Sequence, residues 1–169
     1  MINLLTLSKR IFSVSFIALT LFSINVNAEE EIAPQAPAWQ LKTQSGDSIS
    51  SSQFDGQATI LHFWATWCPY CKKLQPKLVE LEEQYKAQGV KIVAISFNED
   101  DDALPQDELA SRGYHFPTAV NGDSVAMLYG VKGTPTTFFI NKNNQVIFKY
   151  TSSNISDPRL ELAVKEIIK

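Results

Sequence analysis

The chain contains only two cysteines, Cys68 and Cys71, in the stretch Trp67-Cys68-Pro69-Tyr70-Cys71. They stand where one sequence pattern gives way to another. Thr59 to Ala65 (TILHFWA) is nearly continuous apolar sequence, the signature of a strand buried on both faces. From Cys68 to about Gln88, Leu74, Leu78, Leu81 and Tyr85 recur at helical spacing, and Gly89 supplies a stop. Val90 to Phe97 (VKIVAISF) is the next buried strand. Strand, helix and strand in this order imply a right-handed parallel βαβ unit.

Cys68 is thus expected at the helix N-terminus, where unpaired backbone N–H groups and the positive end of the helix dipole favour thiolate over thiol. Pro69 suits the first helical position, because its missing N–H costs nothing there. Cys71 lies one turn on, close enough to bridge to Cys68. The spacing predicts an exposed, attacking Cys68 and a more buried, resolving Cys71. Two other readings are open. One is a C-x-x-C that only packs. The other is half of a zinc site, for which about four ligands are needed and only His62 and His115 remain.

The remaining elements follow from turn chemistry and periodicity. Trp39 to Thr43 alternates like a strand, and Asp47 to Ile49 returns as a second one after Gly46-Asp47. Pro105 to Arg112 reads as a short helix, Phe116 to Val120 as a short strand, and Asp123 or Ser124 as the cap of a helix ending at Gly130. Thr136 to Ile140 and Gln145 to Tyr150 form a hairpin around Asn141-Lys142-Asn143-Asn144. Asp157-Pro158 opens a final helix with an N-cap and a Pro at its first position.

Lys9 and Arg10 precede an apolar run from Ile11 to Ile24, and Val26-Asn27-Ala28 offers a cleavage site. Residues 1–28 have the form of a secretory signal peptide. An uncleaved anchor facing the periplasm is the alternative, although a spanning helix wants about 20 apolar residues. Removal of residues 1–28, with Lys9 and Arg10, takes the net charge from −3 to −5. No basic surplus suits nucleic acid. Residues 29–38, acidic and then Pro-rich, read as a flexible leader, and residues 39–169 as one domain. In an oxidising compartment the close cysteine pair is a disulfide unless something reduces it. Its loop is too small to add much stability, so the pair is expected to serve chemistry.

WCPYC after an apolar strand, Pro76 five residues past the second cysteine, and Gly133-Thr134-Pro135-Thr136-Thr137 before a late strand resemble the thioredoxin superfamily. The signal segment, the insert between the second strand and Thr134-Pro135, and TILHFWATWC narrow the resemblance to its exported TlpA/ResA-like branch. It spans about Trp39 to the C-terminus. The resemblance implies an α/β thioredoxin fold, with a central mixed β-sheet flanked by helices, an N-terminal β extension, and an insert between the βαβ and ββα halves.

It implies catalysis by Cys68 and Cys71, with no cofactor beyond their redox-active disulfide and no metal. Pro135 is expected to be cis and to face the pair, Thr134 to offer its backbone to a substrate chain, and Trp67 to shield the cysteines beside Pro69 and Tyr70. A plain trans turn is the other reading of Thr134-Pro135. Trp64 reads as a core residue. His62 occupies a position that holds an acid or amide in much of the superfamily, where it is thought to help move the second cysteine's proton. A histidine satisfied in the core is the alternative. His115 and the acidic stretch Asp100–Asp102 read as solvated loop.

The expected reaction is thiol-disulfide exchange by a periplasmic monomer. It would reduce protein substrates, apocytochromes among them, and be recharged by a membrane-bound thiol donor. A disulfide oxidase or isomerase, or a Cu(I)-binding thiol module, are the competing readings.

Overall fold

The computed structural model describes residues 33–169. The expected signal peptide, residues 1–28, and residues 29–32 of the expected leader lie outside the described residues. Seven strands form one sheet in the order β2-β1-β5-β4-β3-β6-β7. They are β1 (Gln40–Thr43), β2 (Ser48–Ser50), β3 (Thr59–Trp64), β4 (Lys91–Ser96), β5 (Thr118–Val120), β6 (Thr136–Ile140) and β7 (Val146–Tyr150). Four helices accompany them: α1 (Pro69–Gln84), α2 (Pro105–Ser111), α3 (Asp123–Leu128) and α4 (Pro158–Ile167).

β3 is central, parallel to β4 (His62 opposite Ala94) and antiparallel to β6 (His62 opposite Thr137). Every residue of β3 is buried, which is why its sequence shows no polar alternation. Successive side chains point to opposite faces. Ile60 and Trp64 pack with Cys71, Leu74 and Leu78 of α1 and Leu160 and Val164 of α4. Leu61 and Phe63 pack on the other face with Trp39, Phe138 and the α3 residues Val125 and Ala126. His62, between Ile60 and Trp64, therefore faces the α1 side.

The insert contributes more than loops. β5 joins the sheet parallel to β4 and antiparallel to β1. It thereby ties the N-terminal β1–β2 hairpin to the centre.

Three local expectations change. α1 stops at Gln84, and Lys86–Gln88 tightens into a 3-10 turn before Gly89 at φ 82°. Tyr85 leaves helical geometry with its ring buried, and its hydroxyl donates to Glu161 of α4 at 3.0 Å. The cap of α3 is Gly122, not Asp123 or Ser124. Gly122 packs so tightly on β4 that a Cβ there would sit 2.1 Å from Ile95 Cγ2. The expected flexible leader ends earlier than Ala38. Val146 N–H donates to Pro34 C=O at 2.8 Å, and Ala36 N–H donates to Asn144 C=O at 2.7 Å, so this stretch adds to the β6–β7 hairpin.

Candidate active site

β3 delivers the chain to Ala65, and the turn Thr66-Trp67 leads into α1. Cys68 is the helix N-cap, and its Sγ accepts the Cys71 N–H at 3.1 Å. The sulfur thus takes up a donor that the first turn would otherwise leave unpaired. Pro69 occupies the first helical position, as expected. Cys68 and Cys71 are joined in a disulfide with their Cα atoms 5.3 Å apart.

Exposure does not distinguish the two sulfurs. Cys68 is 1% accessible and Cys71 0%, which corrects the expectation of an exposed Cys68. In the disulfide state both pack into the apolar cluster beneath α1. Their position at a helix N-terminus says nothing of what lies over them. The exposed flanks are Trp67 (50%) and Tyr70 (63%).

Trp67 is anchored although half open: its Nε1 donates to Asn98 C=O at 2.8 Å. Trp64, by contrast, is a core residue, fully buried, with its Nε1 donating to Thr118 Oγ1 at 3.1 Å.

The Thr134–Pro135 peptide bond is cis, and Pro135 is buried while Thr134 is part-exposed. Because Phe63 pairs with Thr136, this bend reaches the end of β3 from which the Cys68 turn departs. Trp67 and Thr134 line one groove of about 450 Å³, together with Phe97, Met127, Val131 and Lys132. The expected site residues thus converge from two distant segments.

His62 lies deeper. It is fully buried, its Nδ1 is 2.9 Å from Thr137 Oγ1, and its Nε2 has no partner. Burial lowers its pKa to about 3, because an imidazolium there would lose its hydration. The ring is neutral through the ordinary pH range and is a much weaker base than free imidazole. His115 is exposed, as are Asp100–Asp102.

Sequence reasoning missed Glu99. Its carboxylate accepts Thr66 N–H at 2.8 and 3.0 Å, Thr66 Oγ1–H at 2.6 Å and Ser96 Oγ–H at 2.6 Å. It pins the residue before Trp67 to the end of β4. A single acid at the edge of an acidic loop carries no signal of this role.

Gln75 and Arg112 were also missed. Pro76 inside α1 has no N–H to give Lys72 C=O, four residues back. Arg112 Nη2 fills that gap at 2.8 Å, and its Nη1 donates to Gln75 Oε1. Among the described residues no group of three or more His, Cys, Asp or Glu side chains is arranged to hold a metal ion. No described helix is long and apolar enough to cross a membrane.

A mixed sheet carrying a C-x-x-C disulfide at a strand-to-helix junction, with a cis-proline bend at the same end of the central strand, defines a thiol-disulfide oxidoreductase of the thioredoxin type. Comparison with known proteins agrees. Residues 32–149 match the model of the AhpC/TSA family. The thiol-disulfide oxidoreductase ResA of Bacillus cereus is 32% identical over 154 residues, covering 89% of this chain and 88% of the relative. ResA of Bacillus subtilis is 36% identical over 113 residues, 66% of this chain and 63% of that one. The crystal structure of a candidate thiol:disulfide interchange protein DsbE from Chlorobium tepidum superposes with a TM-score of 0.71 at 27% identity. It covers 82% of this chain and 99% of its own. The chain belongs to the AhpC/TSA family of thioredoxin-like proteins, and it is a thiol-disulfide oxidoreductase.

Proposed function

We propose that this protein works as an exported disulfide reductase in which Cys68 attacks and Cys71 resolves. The Cys68 thiolate attacks one sulfur of a client disulfide. The client's other sulfur leaves as a thiolate, and a mixed disulfide forms. The Cys71 thiolate then attacks Cys68 Sγ, releasing the reduced client and restoring the Cys68–Cys71 bond. Two electrons pass from the protein dithiol to the client. A membrane-bound thiol donor returns them, and the protein acts as a monomer in the periplasm after loss of residues 1–28.

The observation that carries this assignment is the hydrogen bond from Cys71 N–H to Cys68 Sγ at 3.1 Å. A donor already aimed at Cys68 favours its thiolate as attacking or leaving group. Thr134 pairs its backbone with the client chain in the groove it shares with Trp67. The cis bond to Pro135 sets the bend that presents Thr134, and Tyr70 stands exposed between the two cysteines. His62 lies beneath the pair as a neutral hydrogen-bonding group. Clients include c-type apocytochromes, whose haem-binding cysteines must be reduced before attachment. The ResA relatives, thiol-disulfide oxidoreductases by name, support the reaction class.

Turnover of insulin disulfides with dithiothreitol as donor tests the reading. The wild type should accelerate it, and Cys68→Ser should abolish the acceleration. Direction is read by trapping thiols in the exporting cell. A reductase is found largely as the dithiol when its donor is intact and as the disulfide when the donor is lost. A protein that stays oxidised with the donor intact contradicts the reductase assignment.

A further inference from the structure

The two buried side-chain polar atoms without a partner among the described residues are His62 Nε2 and Gln75 Nε2. Both belong to residues on the Cys71 side of the sheet. A buried polar atom left unpaired costs stability, so each needs a reason. For Gln75 the surroundings supply one.

Gln75 is fully buried, four residues after Cys71 and on the same face of α1. Long side chains on a helix lie over the turn N-terminal to their own Cα. Here that turn holds Cys71 and Lys72. Arg112 fixes the carboxamide in this place. One guanidinium nitrogen binds the Lys72 carbonyl that Pro76 leaves unpaired, and the other binds Gln75 Oε1. Since Arg112 can only donate, it must bind the amide oxygen. The amide NH₂ is thereby committed to the remaining direction, with no acceptor to receive it.

The disulfide is a poor acceptor, and a thiolate is a strong one. We propose that Gln75 and Arg112 form a positioning pair for the resolving cysteine, in which Gln75 Nε2–H donates to Cys71 Sγ once the Cys68–Cys71 bond is reduced. This rests on the reading of Cys71 as the resolving thiol. Reduction by a dithiol adds two electrons to the disulfide, one new pair on each sulfur, and the donor leaves as its own disulfide. The negative sulfur at Cys71 then meets a waiting N–H. A bond made only in the reduced state stabilises that state. It lowers the Cys71 thiol pKa and raises the reduction potential of the couple.

The other titratable groups around this point are His62 from β3, Lys72 on α1, and Glu108 and Arg112 from the α2 side. Lys72 and Glu108 pair with each other at 2.6 Å. Arg112 also lies over the Tyr114 ring, 5.1 Å from its centroid, so its position does not depend on Gln75 alone.

The test compares wild type, Gln75→Leu and Arg112→Gln. Each couple is equilibrated against dithiothreitol, and the Cys71 pKa is read by ultraviolet thiolate absorbance in a Cys68→Ala background. Gln75→Leu fills a similar volume without a donor. It should make the couple about tenfold harder to reduce, about 30 mV lower in potential, and raise the Cys71 pKa. Arg112→Gln should shift both in the same direction, by less. The oxidised Gln75→Leu protein should be no less stable to denaturant than wild type, because the substitution removes an unpaired donor. A structural role for Gln75 predicts the opposite: lost stability with an unmoved potential. Wild-type potential and Cys71 pKa in both variants overturn the proposal. Client reduction is not used in these measurements, so failure of the reductase reading would show separately in the insulin assay.

Discussion

His62 Nδ1 lies 2.9 Å from Thr137 Oγ1 across the β3–β6 register pair, in a site with no access to water. The contact holds a neutral imidazole in the core on the α1 side of β3, and its energetics can be read from pH.

In the folded protein His62 titrates at about 3 rather than 6.5. The unfolded chain therefore binds a proton between these values that the folded chain does not, so stability rises with pH across that window. Stability attributable to His62 is fully present above about pH 6.5 and is lost as pH falls toward 3, by several kcal/mol at most. Burial pushes the Glu82 carboxyl upward, which acts in the opposite sense. The contrast between wild type and His62→Asn isolates the histidine. Urea titrations at several pH values should show a steeper acid loss in wild type, and parallel curves would contradict the buried neutral ring.

The same low basicity limits His62 as a proton acceptor. An effective general base contributes about 10²–10⁴-fold, and a histidine this weak should fall short of that. We expect His62→Asn to slow the Cys71 step of single-turnover reduction by less than about tenfold while leaving Cys68 alkylation unchanged. Stopped-flow tryptophan fluorescence follows that step. A loss of 10²-fold or more with a normally folded variant would restore His62 as the base.

Glu99→Ala removes four hydrogen-bond contacts that hold Thr66 against Ser96. Bonds to a charged acceptor are worth about 1.5–3 kcal/mol each, though not additively. A destabilisation of about 2–3 kcal/mol is expected by denaturant titration, together with a changed Trp67 emission. Unchanged stability and emission would mean that the turn before Cys68 is held by other contacts.

Gly122→Ala places a Cβ 2.1 Å from Ile95 Cγ2 and 2.9 Å from Ser96 O. Overpacking of this kind costs about 1–3 kcal/mol or more. Gly133→Ala meets nothing within 4 Å and serves as the control. Thermal unfolding should separate the two variants, and equal midpoints would contradict the close approach of α3 to β4.

The elements nearest the chemistry were legible because their signals are local. The unbroken apolar run of β3, the helical spacing of Leu74, Leu78 and Leu81, and Pro69 after Cys68 each lie within a few residues. What the sequence hid depends on distant partners. Tyr85 leaves α1 toward Glu161, Thr66 is held by Glu99, and Lys72 C=O is completed by Arg112. Composition also misled at Pro34–Pro37, where Pro-rich sequence reads as flexible. A proline carbonyl still accepts a hydrogen bond, and Pro34 uses its own on Val146. The burial of Cys68 belongs to the same class, since no local pattern reports what packs over a helix N-terminus.

Cys71→Ser should accumulate mixed disulfides on Cys68, because no internal thiol remains to clear them. Non-reducing gels of exported extract should show higher-mass adducts for this variant and none for Cys68→Ser. Identical gels would count against the order of attack.

The division of labour between the two cysteines is tested most directly by competitive alkylation of the reduced protein, with substoichiometric iodoacetamide over a range of pH and peptide mapping of the label. Cys68 should be modified first near neutral pH, with a rate midpoint below the ordinary thiol value of about 8.5. Preferential labelling of Cys71, or a Cys68 midpoint at or above that value, would contradict the assignment of Cys68 as the attacking thiol.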